Sequence, residues 1–196
     1  MPRQIARWKV EHANYRKLLN LLETQTKLFA CGEHSNYGLM ADTVYYITQC
    51  PDRFHHPRED VASTALLARD PTMRTSIEHL AWEHRLIERC GATLATDLAA
   101  AAAGTMMSRE TLIGDVRKYV AFFRRHMNKE EDVLFPRLAA SLTTEDWFLV
   151  DSAIHFKADP LFGASVEARY GAIRRMIAVE AGCGCTDPVE GACCLE

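Results

Sequence analysis

Four stretches of the chain carry apolar residues at alternating steps of three and four positions, and this spacing limits the possible folds more than any other feature. The stripes run from Ile5 to Phe29, from Tyr37 to Leu66, from Met73 to Leu98 and from Leu112 to Val133. Such steps place side chains on one face of an α-helix, so each stretch is predicted to be a helix with one buried face. The alternating apolar pattern typical of strands is missing.

Short polar segments separate the four predicted helices and supply capping residues. Ser35 is predicted to cap the second helix and Ser108 the fourth, because a serine side chain can accept a hydrogen bond from the first turn. Asp70 followed by Pro71 is typical of a helix start. Connections this short favour antiparallel packing of consecutive helices.

The fold class that follows is all-α, an up-down-up-down four-helix bundle with one or two additional C-terminal helices. Pro51, Pro57 and Pro136 are expected to bend the second and fourth helices, because proline lacks a backbone donor. The shorter helices are predicted at about 144–156 and 161–180.

Each stripe is apolar except near its centre, where ionisable side chains face the predicted core. These six central residues are His12 on the first helix, His55 and Glu59 on the second, His84 on the third, and His126 and Glu130 on the fourth. An unpartnered buried carboxylate costs several kcal/mol, and the stripes offer no lysine or arginine to pair with it. A bound metal cation would supply the missing charge, so the pattern predicts a metal site.

The spacing of the central residues repeats along the chain. His12 and His84 are 72 positions apart, whereas His55 and His126 are 71 positions apart, as are Glu59 and Glu130. The first helical hairpin is therefore echoed by the second. Two such hairpins packed antiparallel would surround a pseudo-twofold axis with ligands for two metal ions.

The ligand types indicate which metal chemistry the site supports. Imidazole with carboxylate suits iron, and zinc or manganese remain alternatives. Two bridging carboxylates carry less charge than two iron ions, so an oxo or hydroxo bridge is expected. An octahedral ion would keep one position open for dioxygen, nitric oxide or peroxide. Tyr15 and Tyr119, one turn from His12 and His126, could hydrogen-bond such a ligand or simply pack in the core.

The other histidines are predicted to lie outside the site. His56 falls with Asp60 on the polar face of the second helix, where the pair would be exposed to solvent. His79 and Glu83 have the same spacing and are expected to form an exposed pair. The two remaining histidines fall outside the four helices: His34 and His155.

The order His12, His55-x-x-x-Glu59, His84, His126-x-x-x-Glu130 resembles the hemerythrin-like family of HHE cation-binding proteins. The resemblance covers about residues 5–140 and includes the stretches FHHPRED and HMNKEEDVLFP. It implies a four-helix bundle with a non-haem di-iron centre. It also implies reversible dioxygen binding or, in some relatives, nitric oxide handling, peroxide breakdown or repair of iron–sulfur clusters.

The chain departs from the oxygen-carrying hemerythrins in two places. Those proteins place two histidines four apart on the third helix, where this chain offers His84 alone in the right register. Their last motif ends in aspartate, and here it ends in Glu130. The set of four histidines and two glutamates is closer to that of the cluster-repair relatives, although the N-terminal domain often found in those proteins has no counterpart here.

Composition narrows the possible partners. The chain is 48% hydrophobic and 25% charged, with a formal net charge of −3. A slightly acidic chain gives no reason to expect nucleic acid or an anionic membrane as a partner. A small-molecule ligand and a cytoplasmic location are expected, and the redox partner is left open. A helical interaction module without metal is the alternative of a different class, and enzymatic activity as an oxidoreductase is left open.

The chain is predicted to divide into a bundle at residues 1–140, a helical extension packed on it at 141–180, and a cysteine-rich tail at 181–196 without fixed structure. Cysteines within the helices usually behave as small hydrophobic residues, and this is expected of Cys31, Cys50 and Cys90. The tail cysteines match no standard zinc pattern, so metal or redox chemistry is an alternative to an incidental cluster. They are Cys183, Cys185, Cys193 and Cys194. Whether Leu195 and Glu196 are native is left open.

Overall fold

Four helical rods form an antiparallel bundle in the computed structural model, which describes residues 1–31, 36–154 and 158–180. The first rod is α1 and the third is α4, whereas the second consists of α2 and α3 and the fourth of α5 and α6. Their bounds are α1 Arg3–Ala30, α2 Tyr37–Gln49, α3 His56–Arg69, α4 Arg74–Ala102, α5 Arg109–Lys129 and α6 Phe135–Ser141. The described residues contain no strand, so the predicted all-α bundle is confirmed. None of these helices combines the length and hydrophobicity that a membrane span requires.

Capping residues fix where the helices begin. The side chain of Asn36 accepts a hydrogen bond from the backbone N–H of Leu39 and caps α2. The predicted cap Ser35 lies outside the described residues. Ser108 caps α5 as predicted, and the Asp70 side chain caps a 3₁₀ turn that leads into α4.

A π-helical turn interrupts each of the two rods that carry a histidine–glutamate pair. The turns span Pro51–His55 and Glu130–Leu134. Each is followed two residues later by a proline, Pro57 or Pro136. Because proline cannot donate a backbone hydrogen bond, the preceding turn can widen to the i→i+5 pattern. The predicted bends are therefore wide turns that lie directly beside the central residues.

The wide turns also shift the helical register. Val133, the last residue of the fourth stripe, was predicted to face the core but is 47% exposed. Its neighbour Leu134 is buried instead. A π turn adds about one residue to a helical turn, so a count at 100° per residue fails across it.

The apolar core consists of two clusters, one toward each end of the bundle, with the central residues between them. On α1, Trp8 belongs to one cluster and Tyr15 to the other, and His12 lies between them. On the fourth rod, Phe123 and Leu134 belong to different clusters, on either side of the ionisable segment. The polar layer is therefore enclosed by hydrophobic packing along the bundle axis.

Two shorter helices pack on the bundle. Helix α7 spans Thr144–Ala153, and its Trp147 packs on Trp8 with ring centroids 5.9 Å apart. Helix α8 spans Gly171–Glu180, and Ile173 is fully buried in the core. These contacts fit the predicted extension at 141–180, but the division into domains stays a prediction.

Helix α8 is shorter than the predicted helix at 161–180. The Asp159 carboxylate accepts hydrogen bonds from the backbone N–H groups of Leu161 and Phe162, and it also accepts one from the Tyr46 hydroxyl. These bonds stabilise a turn that competes with helix formation. The helix therefore begins ten residues later, at Gly171.

The cysteines are not distributed as the sequence suggested. Cys31 and Cys90 are exposed, contrary to the expectation of hydrophobic burial, and Cys50 is half-buried against the core. The four tail cysteines lie outside the described residues.

Candidate metal centre

The six central residues converge in the middle of the bundle. Each is at most 6% exposed, and Glu59, His126 and Glu130 are fully buried. The first and third rods place His12 and His84 through the register of their apolar stripes, and the wide turns lie beside the histidine–glutamate pairs of the second and fourth rods. The structure therefore brings together the residues predicted as ligands, and their role as ligands stays a prediction.

The first half of the centre contains His12 and His55. Their Nε2 atoms are 2.8 Å apart. The His55 Nε2 atom lies 3.1 Å from Oε1 of Glu59, and the His12 Nε2 atom lies 3.5 Å from Oε2 of Glu130. Two nitrogens and one oxygen from each of two carboxylates thus face a common point.

The second half of the centre contains His84 and His126. Both Nε2 atoms lie 3.1 Å from Oε1 of Glu130, and the His84 Nε2 atom lies 3.7 Å from Oε2 of Glu59. Each glutamate therefore presents one oxygen to each half. This is the arrangement that a carboxylate bridging two ions requires.

The Nδ1 atom of each central histidine contacts a carboxylate on a different rod. We refer to these four acids as the outer carboxylates. The pairs are His12 with Glu131 at 2.8 Å, His55 with Glu11 at 2.6 Å, His84 with Asp60 at 2.9 Å, and His126 with Glu83 at 2.9 Å. Histidines that bind metals usually donate their second ring nitrogen to such a partner, which fixes the orientation of the ring.

The outer carboxylates also determine which nitrogen can bind a cation. An ionised carboxylate only accepts hydrogen bonds, so each Nδ1 carries the ring hydrogen and a neutral ring leaves a lone pair on Nε2. The Nε2 atoms of His12 and His55 face each other at 2.8 Å. Nitrogens that bind one ion at right angles at about 2.1 Å lie roughly 3.0 Å apart. The separation fits two ligands of one ion.

Several atoms at the centre lack a hydrogen-bond partner among the described residues. They are both carboxylate oxygens of Glu59, Oε2 of Glu130 and Nε2 of His126. A metal-free network would need these buried atoms to satisfy one another, and an incompletely satisfied network is costly in a low-dielectric core. The donors therefore fit a bound metal better than a metal-free interaction module.

Comparison with known families agrees with this geometry. A family model described as the hemerythrin HHE cation-binding domain matches residues 3–138, which include all six central residues. The chain belongs to the hemerythrin family. Neither the curated proteins nor the solved structures gave a significant match. As a hemerythrin-like domain with buried groups of histidine and glutamate, the protein is a metal-binding protein of the di-iron type.

The pKa values of the two central glutamates of this hemerythrin-like domain are shifted in opposite directions. Burial, together with the charge of Glu130, raises the pKa of Glu59. Burial also acts to raise the pKa of Glu130, but the charge and hydrogen bond of His126 outweigh it and hold that pKa well below its ordinary value. Without a metal, Glu59 therefore binds a proton more readily than Glu130 does.

His56 is the main correction to the sequence interpretation. It was predicted to pair with Asp60 in solvent, but it is only 3% exposed and stacks on His84, with centroids 4.3 Å apart and planes at 11°. Asp60 contacts His84 instead. The wide turn at Pro51–His55 accounts for the error, because its extra residue rotates His56 toward the core. The signal available in the sequence was the pair of prolines around this segment.

The outer carboxylates were not identified from the sequence. Glu83 was predicted to form an exposed pair with His79, yet it is 1% exposed and contacts His126, while the His79 side chain is 51% exposed. A usable signal was present, because each outer acid directly precedes or follows a central residue. Glu11 and Glu83 repeat at 72 positions, and the other two repeat at 71.

Three basic residues form ion pairs with outer carboxylates on the side away from the central histidines. They are Arg58 on Glu11 at 3.0 Å, Arg16 on Glu131 at 2.8 Å, and Lys129 on Glu83. Each of these carboxylates therefore lies between an imidazole ring on its inner side and a cationic side chain on its outer side. This arrangement lowers the cost of burying the carboxylates.

The two predicted tyrosines have different surroundings. Tyr15 packs edge-on against His55, with ring centroids 5.3 Å apart, and lies 6.3 Å from the His12 ring. Tyr119 contacts Phe123, and its buried hydroxyl has no hydrogen-bond partner within the described residues. Tyr15 thus borders the first half directly, whereas Phe123 separates Tyr119 from His126. His34, His155 and the tail cysteines lie outside the described residues.

The pKa shifts predict how the stability of the metal-free protein depends on pH. Burial acts to lower the pKa of His84, but hydrogen bonds to Asp60 and Glu130 raise it to about 10, from 6.5. The stability it contributes is full below about pH 6.5 and is lost as the pH rises toward 10. The hydrogen bond from His12 lowers the pKa of Glu131 to about 2, so its contribution is lost as the pH falls from about 4.5 toward 2.

We therefore expect the metal-free protein to be most stable at about pH 5–6. Urea unfolding midpoints measured across the pH range would check this. The metal-loaded protein should not lose stability between about pH 6.5 and 10, because the metal replaces the proton on His84. An equal loss of stability above pH 6.5 in the metal-free and the metal-loaded protein would contradict a role for His84 as a metal ligand.

Proposed function

We propose that this protein holds a pair of iron ions that binds or reacts with a small diatomic or peroxide ligand, in oxygen or nitric oxide binding, sensing or detoxification. One observation carries the proposal: Glu59 and Glu130 each direct one oxygen to the His12–His55 half and the other to the His84–His126 half. When bound, a pair of iron ions supplies one-electron redox chemistry and an open coordination position.

The donor set supports iron. Nitrogen and oxygen donors are available at the centre, and the three cysteines of the described residues are not in the metal-binding groups. Imidazole and carboxylate donors suit iron, with zinc and manganese as the competing ions. A structural zinc site would need four donors around one ion rather than two bridging carboxylates between two histidine pairs.

The burial of the centre supports a small ligand. Because none of the six central residues is more than 6% exposed, a large substrate could not reach the metal position without unfolding part of the bundle. A cavity of about 230 Å³ adjoins the first half and is lined in part by Glu11, Tyr15 and Arg58. A molecule of two or three atoms fits this cavity, and its lining residue Tyr15 packs directly against the His55 ring of the first half.

The chain's own residues would orient and protect the ligands. The outer carboxylates hold the imidazole rings with their Nε2 atoms directed inward, and the two apolar clusters exclude water along the bundle axis. Tyr15 is positioned to donate a hydrogen bond to a small ligand at the first half. Burial raises the pKa of the Tyr15 hydroxyl, so it keeps its proton at neutral pH.

The decisive test is anaerobic loading with ferrous iron, followed by metal analysis and visible spectra on exposure to air or nitric oxide. We expect about two irons per chain and new absorption bands with either gas. A reversible spectrum in air would support ligand binding, and an irreversible one would support redox chemistry. Failure to incorporate iron, with zinc or manganese bound in its place, would contradict the proposal.

We also expect Tyr15→Phe to bind iron normally but to release the small ligand about 5- to 10-fold faster, because it lacks one net hydrogen bond of about 1 kcal/mol. Stopped-flow dissociation rates would measure the effect. Tyr119→Phe is the matched control, since Tyr119 does not border the first half. Equal rates in both variants and the wild type would assign Tyr15 to core packing alone.

A further inference from the structure

His56 has the surroundings of a ligand rather than those of a packing residue. Its Nε2 atom is buried and has no hydrogen-bond partner within the part of the chain that the structure describes. One ring nitrogen from each of His56, His84 and His126 lies within 4.8 Å of the other two. An orphaned nitrogen that joins two predicted ligands points to a cation.

The opposite side of the His56 ring faces an acid of its own helical rod. Its Nδ1 atom lies 3.2 Å from Oδ1 of Asp52, whose side chain is 3% exposed. The outer carboxylates form hydrogen bonds between rods, whereas Asp52 lies four residues before His56 and its oxygens have no hydrogen-bond partner within the described residues. His56 and Asp52 are thus a fifth contact between an imidazole and a carboxylate at the centre.

The internal repeat shows that the first hairpin contains this contact between a histidine and an acid and that the second hairpin does not. The residue 71 positions after His56 is Met127, and the residue 71 positions after Asp52 is Phe123. Both are buried apolar residues. The two halves therefore have the same four histidines and two glutamates by symmetry, and only the second half has an additional nitrogen.

We propose that His56 is a fifth histidine ligand, which binds through Nε2 the iron ion held by His84 and His126. The assignment rests on the proposed di-iron function. His56, His84 and His126 would then hold the second-half ion through three nitrogens, one more than the two that hold the first-half ion. The first-half ion, held by His12 and His55, would keep one open position. That half is also the one that the cavity adjoins.

The Mössbauer spectrum of the wild-type protein loaded with ⁵⁷Fe tests the inequivalence directly. We expect two quadrupole doublets of equal area, one for each iron environment. Two irons per chain that give a single doublet would overturn the role of His56 and leave the di-iron proposal intact. If no iron is incorporated, the proposed function fails, and the assignment of His56 fails with it.

Substitutions test whether His56 is the residue that makes the two iron environments different. His56→Met copies the residue at the equivalent position in the other half and should weaken binding of one of the two irons by about 100-fold, with merging of the two doublets. Asp52→Asn keeps the imidazole and should weaken the same ion by about 10-fold. Phe148→Met is the matched control, because it places a methionine at an exposed aromatic position on α7, and it should change neither property. Wild-type affinity and two unchanged doublets in His56→Met would show that His56 only packs against the centre.

If His56→Met does not fold, His56→Gly with added imidazole provides the second measurement. Free imidazole can occupy the space left by the side chain and offer the same nitrogen. Recovery of the second doublet with imidazole, and its absence without, is the expected result. A spectrum that shows both doublets without imidazole would overturn the assignment.

Discussion

Replacing Glu59 with glutamine is expected to lower the bound iron from about two ions per chain to about one or fewer. Glutamine has nearly the same shape, but it lacks the negative charge and the second equivalent oxygen that a bridging ligand needs. In the structure, the two oxygens of Glu59 lie 3.1 Å from His55 and 3.7 Å from His84, in opposite halves. Metal analysis after gel filtration would measure the loss.

The matched control for this substitution is Glu78→Gln on α4, whose side chain is 65% exposed and forms an ion pair with Arg74. It should bind iron as the wild type does. The metal-free Glu59→Gln protein should be at least as stable as the metal-free wild type, because the substitution removes a buried carboxylate whose pKa is raised. Full iron content in Glu59→Gln would instead support a hydrogen-bonded network.

Removal of iron is expected to lower the free energy of unfolding by about 4 kcal/mol, if free iron is held at about a thousand times its dissociation constant. For a chain of this size that corresponds to a fall in Tm on the order of 10 °C. The physical reason is that the folded centre binds the metal and the unfolded chain does not. Thermal unfolding with and without a chelator, under anaerobic conditions, would measure the difference.

The double variant Glu59→Gln/Glu130→Gln provides the control for this second prediction. It lacks both bridging carboxylates, so its Tm should be nearly independent of iron. The same Tm for the wild type with and without iron would mean that the metal contributes nothing to folding. It would also mean that the four buried histidines are satisfied in some other way.

The rods could be predicted from regular helical spacing, and the six central residues from that spacing together with the internal repeat of the two histidine–glutamate pairs. A residue near the middle of an uninterrupted stripe, such as His12 or His84, keeps its face whatever happens at the helix ends. The internal repeat then relates the two halves without any tertiary information. These are properties of local geometry, and the sequence contains them in full.

His56 and Val133 could not be placed by the same reasoning because a wide turn lies directly before or around each. One additional residue in a turn rotates everything that follows by about 100°. Whether a proline produces a kink, a helix end or a π turn depends on how the rest of the bundle packs. The start of α8 was missed for a related reason, since the Asp159 side chain competes with helical hydrogen bonding.

The outer carboxylates were missed for a different reason. An acid next to a ligand in sequence faces roughly 100° away from it on the same helix, and the single-helix pattern therefore assigns it to solvent. In the bundle that direction points to the neighbouring rod, where Glu11 meets His55 and Glu83 meets His126. The contact depends on the antiparallel packing of two rods.

Because the two hairpins that repeat at 71 and 72 positions belong to one chain, a substitution can change one half of the centre and leave the other half unchanged. If the two hairpins were separate, identical chains related by a twofold axis, every substitution would change both halves at once. The position of His56 in one half could then not be occupied by a methionine in the other half. Joining the hairpins in one chain removes that restriction, so one metal position can become saturated while its twin remains available. A single chain can therefore give its two metal positions different ligands and different roles, whereas a dimer of identical halves cannot.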